Sequence, residues 1–308
     1  MAGVFARPVI VLFALTLTCV AQNNPRPIRI AVLDFGNSPT GHRVADRLAE
    51  LMSSNSHTTS NRDDALKVID RDWARAAALG AGYRGSLNLT LAEARDLGSA
   101  IGCEFFFTGK AGTERRSPSD GPPYFEAYAA IYLVSARTGK LALWEQPLAK
   151  RPTPEEAEKI LLQELGAEDA MFRYRRQIQR ALEDEQAERA SAVESNVPVI
   201  EVLSDDQGNA GNGVQAPRPY RRLKPPYPES AAHAEIEATV DVLVDIDAKG
   251  EVGRIEVARW AGYGLDQSVI DTVRQLHFFP AQRDGTAIPM RVLLRYNFRK
   301  PPAPNRSQ

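Results

Sequence analysis

The side chains able to do chemistry are few and scattered along this chain of 308 residues. The four histidines, His42, His57, His233 and His277, include no pair at i,i+3 or i,i+4 and none at a ligand spacing from a cysteine, so local spacing builds no zinc site. Gly102 and the run Gly109-Lys110-Ala111 imitate a phosphate loop. Six residues separate the two glycines where four are needed, and Ala111 stands where a Ser or Thr is required. Asp34 closes an apolar strand, where α/β folds often carry a site. No base, nucleophile or glycine fingerprint accompanies it, and capping a turn is role enough. Asn88-Leu-Thr90 has the form of a glycosylation triplet, but Thr90 already serves as a helix cap. No catalytic residue, no metal and no cofactor is expected, and the chain is read as non-enzymatic.

Composition narrows the classes further. Lys plus Arg is 38 against 39 for Asp plus Glu, and the net charge of −1 provides no global basic field for nucleic acid. With 43% hydrophobic and 25% charged residues, whole-chain disorder is excluded. Two cysteines, Cys19 and Cys103, are too few for a disulfide scaffold, and Cys103 in the apolar run IGCEFFFTG reads as a buried, inert thiol.

The elements that must position any site fall into an α+β arrangement. Residues 1–21 read as a secretory signal, with Arg7 before the apolar run Pro8 to Ala21 and small residues at Cys19 and Ala21. Cleavage after Ala21 is favoured; retention as an anchor and lipidation at Cys19 are the alternatives. Residues 28–150 read as an α/β domain. It has strands at Ile28–Phe35, Leu66–Asp70 and Glu104–Gly109, helices at Gly41–Ser54, Asp72–Leu79 and Thr90–Ile101, and a late hairpin turned by Arg137-Thr-Gly-Lys140. Thr90 and Glu93 match a capping box. Residues 153–197 form an acidic helical connector, opened by Thr153-Pro154-Glu155-Glu156 and breakable at Gly166. Residues 203–216 read as a flexible linker, and 301–308 as a disordered tail. Between them, residues 217–300 hold a β-β-α-β unit. Its strand Ile236–Ile246 alternates and turns at Asp247-Ala-Lys-Gly250 into Val252–Val257. A helix carrying Leu265, Val269, Val273 and Leu276 leads to the alternating strand Arg291–Phe298. Arg218, Arg221, Arg222 and Lys224 give this unit a basic approach, readable as a solvated face or as a contact for an acidic partner or membrane surface.

This last unit resembles the TonB C-terminal domain family. The resemblance is carried by Pro226-Tyr227-Pro228, the hairpin Val240…Asp247-Ala-Lys-Gly250…Val252, and Leu265-Asp266. It continues through Phe279-Pro280-Ala281, Gly285 before Pro289, and Tyr296-Asn-Phe298. The sequence departs at Ile236-Glu237-Ala238, where the family usually has a Gly. The resemblance implies a small antiparallel sheet with a helix on one face. It further implies that a peptide of an outer-membrane receptor or transporter is bound as an added strand. Met290–Phe298 is then the expected receiving edge, with Arg291, Leu293, Arg295 and Asn297 as partner-facing residues and Tyr227-Pro228 as the opening motif. Residues 28–150 more weakly resemble CsgG-like periplasmic α/β domains, through Ile30–Phe35 with Gly36-Asn37, Val68-Ile-Asp-Arg71, Ile101-Gly102-Cys-Glu104 and Arg137-Thr-Gly-Lys140. Pore formation is not carried over, because no pair of long, lipid-facing strands is evident.

The expected protein is therefore an exported, periplasmic member of the TonB type that supports envelope transport. It is membrane-associated if the leader is retained or Cys19 is lipidated. A membrane-anchored energy transducer and a structural or assembly protein of the envelope, including a homo-oligomer, stay open. From Pro217 onward there are 14 Lys/Arg against 11 Asp/Glu, whereas Glu155 to Asn196 holds 11 Asp/Glu against 6 Lys/Arg. Opposite charge predicts attraction between connector and final unit that would cover the binding edge.

Overall fold

The computed structural model describes residues 26–54, 66–192, 209–210 and 214–300. The expected signal peptide, Cys19, residues 193–208 and 211–213 of the expected connector and linker, and the expected tail at 301–308 lie outside the described residues.

The N-terminal unit contains β1 (Ile28–Val32), α1 (Pro39–Ser54), β2 (Leu66–Val68), α2 (Arg71–Gly80), α3 (Leu91–Ile101), β3 (Phe105–Arg116), β4 (Tyr124–Ser135), β5 (Leu141–Glu145), β6 (Leu148–Arg151), α4 (Pro154–Leu165) and α5 (Glu168–Ala192). One sheet runs β2-β1-β3-β4-β5, with β6 also on β4; β1 is parallel to β2 and β3, and the remaining pairs are antiparallel. Strand alternation gives the sheet two apolar faces. Ile30, Val32, Phe105, Phe107 and Ile131 pack against α1, α4 and α5 through Leu48, Leu161 and Tyr174. Ala31, Leu33, Phe106, Tyr132 and Val134 face the opposite layer, with Ala74 of α2 and Leu97 of α3.

Local signals set the helix ends. Ser38 accepts the Gly41 amide at 2.9 Å and Pro39 fills the first turn, so α1 starts two residues before Gly41. The Thr90–Glu93 capping box forms in both directions, and Gly102 stops α3 in the left-handed region at φ 79°. Gly166 separates α4 from α5, as its conformational freedom suggests. β3 runs to Arg116, seven residues past the expected end, because its polar tail pairs with Tyr124–Ala127 of β4.

The C-terminal unit contains β7 (Asn209–Ala210), β8 (Val214–Gln215), β9 (Arg218–Pro219), α6 (Glu229–His233), β10 (Ala238–Ile246), β11 (Val252–Arg259), α7 (Leu265–Val273), β12 (Phe278–Phe279), β13 (Ala281–Arg283), β14 (Thr286–Ile288) and β15 (Met290–Phe298). The main sheet has the order β11-β10-β15 and is antiparallel throughout. Its inner face, Val240, Val242, Val244, Ile246, Met290 and Val292, packs on Leu265, Val269 and Val273 of α7. The described part of the expected linker is not free: β8 pairs with β7 and with Gln282 and Arg283 of β13. The two units are not separate bodies on a tether. The α2–α3 face of the first sheet and the core of the second unit form one continuous apolar cluster.

Candidate functional site

Main-chain hydrogen-bonding groups left over at a sheet edge are the chemistry this fold offers. β15 pairs with β10 along all nine positions, from Ala238↔Phe298 to Ile246↔Met290. It ends the sheet order, so its other edge meets no strand among the described residues. Alternate residues of a paired strand aim N–H and C=O away from the partner, and those are the groups a further strand would use.

The side chains on the outer face are fixed sideways. Arg295 donates to both Asp241 oxygens, at 2.7 and 3.0 Å, and Arg259 donates to the same carboxylate at 3.3 Å. Arg291 forks onto Asp245, with one bond of 2.7 Å and a shorter second. Thr239 and Asn297 share a hydrogen bond of 2.8 Å. Arg291, Arg295 and Asn297 are thus tied to β10, and half-buried Leu293 lies between the two arginines. They flank the open edge as a charged rim without blocking it, since strand addition uses backbone groups.

The opening motif fastens the end of that strand. The Tyr227 hydroxyl donates to the Ile236 carbonyl at 2.5 Å, and its ring lies 6.1 Å from that of Phe298. Burial raises its phenol above the ordinary value. Pro228 caps α6, and its carbonyl accepts the Ala232 amide at 2.9 Å. Tyr227 and Pro228 therefore act on the shape of the unit and lie off the exposed edge strand itself.

The opposite edge strand, β11, meets the N-terminal unit at its C-terminal end, while Gly253 and Arg254 near its start are exposed. Thr90 forms an antiparallel bridge with Arg259, and the Trp260 amide donates to the Leu89 carbonyl at 3.3 Å. Asn88 behaves like a peptide group beyond the end of the β10–β11 pairing. It donates to the Thr239 and Trp260 carbonyls at 2.7 Å each and accepts the Thr239 amide at 3.0 Å. The loop after β11 is buried against the first sheet: Tyr132 donates to the Ala261 carbonyl at 2.9 Å, and the Trp260 indole donates to the Gly139 carbonyl at 3.0 Å. Gly262, at φ 73°, sits where an added Cβ would lie 2.5 Å from the Trp144 ring. Asp266 holds this loop from the start of α7, accepting the Ala261 and Gly262 amides at 2.9 and 2.8 Å. Burial still pushes its carboxyl up to about 6.

Charge completes the docking. Glu188 of α5 pairs with Arg254 of β11 at 3.4 Å and with Lys140 at 2.6 Å, and Lys140 also meets Glu256 at 3.2 Å. In its described residues the acidic connector therefore meets the final unit at β11 and not at the β15 edge, where the charge attraction was expected to place it. His233 of α6 meets buried Glu126 of β4 at 2.8 Å. Burial acts to raise the Glu126 carboxyl, yet His233 and then Arg116 hold it below the usual carboxylate range.

No group of three or more His, Cys, Asp or Glu fit to hold a metal occurs among the described residues, and none of their helices is long and apolar enough to cross a membrane. Asp34 accepts from Arg75 at 2.8 and 2.9 Å and from Arg71 at 3.2 Å, an ion-pair cluster at the end of β1. Tyr263 adds a ring 5.0 Å from that of Trp144, and Asn88, Tyr132, Trp260 and Tyr263, which build the docking, carry no sequence pattern that assigns them to it. The Asn88 triplet was the only local signal among them.

Residues 224–299 match the family described as Gram-negative bacterial TonB protein C-terminal. The resemblance carried by Tyr227-Pro228 through Tyr296-Asn-Phe298 is borne out, and the chain carries a TonB-type C-terminal domain there. Among solved structures, the C-terminal domain of Pseudomonas aeruginosa TonB is similar at 24% identity, with 29% of this chain and 90% of that chain covered and a TM-score of 0.25. The hypothetical protein CT253 from Chlamydia trachomatis is similar at 12% identity over 46% of this chain and 94% of that one, with a TM-score of 0.30. Lipoprotein GNA1162 from Neisseria meningitidis is similar at 13% identity over 45% and 95%, with a TM-score of 0.30. No curated protein matches the chain.

Proposed function

We propose that this chain, which carries a TonB-type C-terminal domain at residues 224–299, is an exported cell-envelope protein that binds a peptide of an outer-membrane receptor or transporter as an added strand on β15. The observation that carries this reading is the inequality of the two sheet edges. Both are end strands, but β15 has no strand on its outer side along nine residues among those described, whereas β11 is bridged by Thr90 at Arg259 and its Arg254 pairs with Glu188. An incoming strand would gain main-chain hydrogen bonds from β15, and Arg291, Leu293, Arg295 and Asn297 would select its alternate side chains. The charged rim would favour a peptide bearing acidic residues and discourage self-pairing of two edges.

The shared core favours a fixed adaptor over a motor-driven transducer on a long spacer. In this reading the α/β unit sets where the edge points, and the protein supports transport through the envelope without catalysing a reaction. The test is capture of outer-membrane proteins by the full chain and by its Leu293→Pro variant. Proline removes a backbone donor and restricts the strand. Retention of a partner by the parent chain, lost in the variant while the α/β unit keeps its amide protection, supports the reading. Equal retention by both rejects it.

A further inference from the structure

A second surface lies on the β9–β12 strand pair and takes no part in the edge described above. Register places Arg218 opposite Phe279 and Pro219 opposite Phe278. Phe278 is buried in the core, so its neighbour Phe279 points outward and is 57% exposed. The Tyr220 amide donates to the His277 carbonyl at 2.8 Å, which brings the 58% exposed Tyr220 ring back over Phe279 at 4.4 Å between centroids. Two large rings packed chiefly on each other, and more than half in water, are costly to leave bare. Exposed cations flank them along the chain: Arg218, Arg221, Arg222 and Lys224 on the segment that carries Tyr220, and Arg283 at the end of β13, shortly after Phe279. None of these five has an ion-pair partner among the described residues, whereas Arg254, Arg259, Arg291 and Arg295 nearby in sequence all do. The nearby acids are Asp284, next to Arg283, and Glu251, which His277 meets at 3.2 Å.

We propose that this patch docks the protein on an anionic phospholipid surface. Arginine and lysine heads would meet headgroup phosphates, while Tyr220 and Phe279 would enter the interfacial layer, where aromatic rings are favoured. An acidic polypeptide would neutralise the cations but supplies nothing for the paired rings, so a lipid surface fits both halves of the patch. Docking here would leave the β15 edge available, and the proposal does not depend on what that edge binds.

The experiment is co-sedimentation of the full chain with phosphatidylglycerol-containing vesicles and with pure phosphatidylcholine vesicles, across a range of salt. The apolar leader is common to every variant, so differences between variants report the patch. The expected result is preferential binding to the anionic vesicles that weakens with salt. Arg221→Gln with Arg222→Gln should lower partitioning by about 25-fold, about five-fold per charge removed. Tyr220→Ser with Phe279→Ser should also lower it, with the salt dependence retained. All four positions are exposed, so unchanged thermal unfolding midpoints are expected. Equal binding to neutral vesicles, absence of binding, or indifference to both double variants overturns the proposal. Binding to polyglutamate without binding to vesicles does so too, and assigns the surface to an acidic protein.

Discussion

Asp266 illustrates how one side chain can carry opposing demands. Two backbone amides and the start of α7 favour its charge, while burial opposes it more strongly and raises the carboxyl to about 6 from 3.8. Between those values the folded chain holds a proton that the unfolded chain has released. Stability therefore falls as pH rises from about 4 to about 6 and levels off above. Asp266→Asn lacks that titration. Its stability deficit relative to the parent should shrink across the same window, measured by denaturant unfolding at several pH values; a deficit that widens would contradict the assignment. Asn88 poses a different test. Asn88→Ala leaves the Thr239 amide and two carbonyls without their partner, and each unsatisfied buried group costs about 1–3 kcal/mol. A loss of about 3 kcal/mol and faster exchange of the Thr239 amide are expected. Little in the sequence marks Asn88 for this work, since its partners lie 151 and 172 residues away. Its local pattern pointed instead to a glycosylation triplet.

At the scale of elements, what was legible had a local cause. The Thr90–Glu93 capping box, the Gly102 stop and the Gly166 break all appear where residue type alone places them. Thr90→Ala should cost about 1 kcal/mol through the lost cap, read as a lower unfolding midpoint. The alternation of Val240, Val242 and Val244 against Asp241 and Asp245 fixed both the strand and its inner face. β6 was missed because Leu148-Ala-Lys-Arg151 holds too little apolar pattern, and it forms only because β4 offers an edge. The helical connector was legible as a helix but not in its destination. Glu185 accepts from Ser135 at 2.5 Å and Glu188 meets Lys140 and Arg254, and these partners come from two different units. For β15, the sequence pattern located the strand, while only the assembled sheet shows that β10 is its one strand neighbour among the described residues.

At the scale of the molecule, the TonB-type domain is part of a larger body. Trp260 is 1% exposed, its ring lies 5.4 Å from that of Tyr132, and its indole is bonded to the Gly139 carbonyl. Removing it should cost about 3–5 kcal/mol. Because the core is continuous across both units, the parent chain should unfold in one calorimetric transition, and Trp260→Ala should split it into two. Such coupling would fix the direction of the β15 edge relative to the α/β unit. The measurement that tests this account most directly is photo-crosslinking from a reactive side chain placed at Leu293 on β15 or at Gly253 on β11, in the full chain exposed to outer-membrane proteins. The account predicts a peptide adduct from position 293 and none from position 253. Adducts from 253 alone, or equally from both, would contradict it.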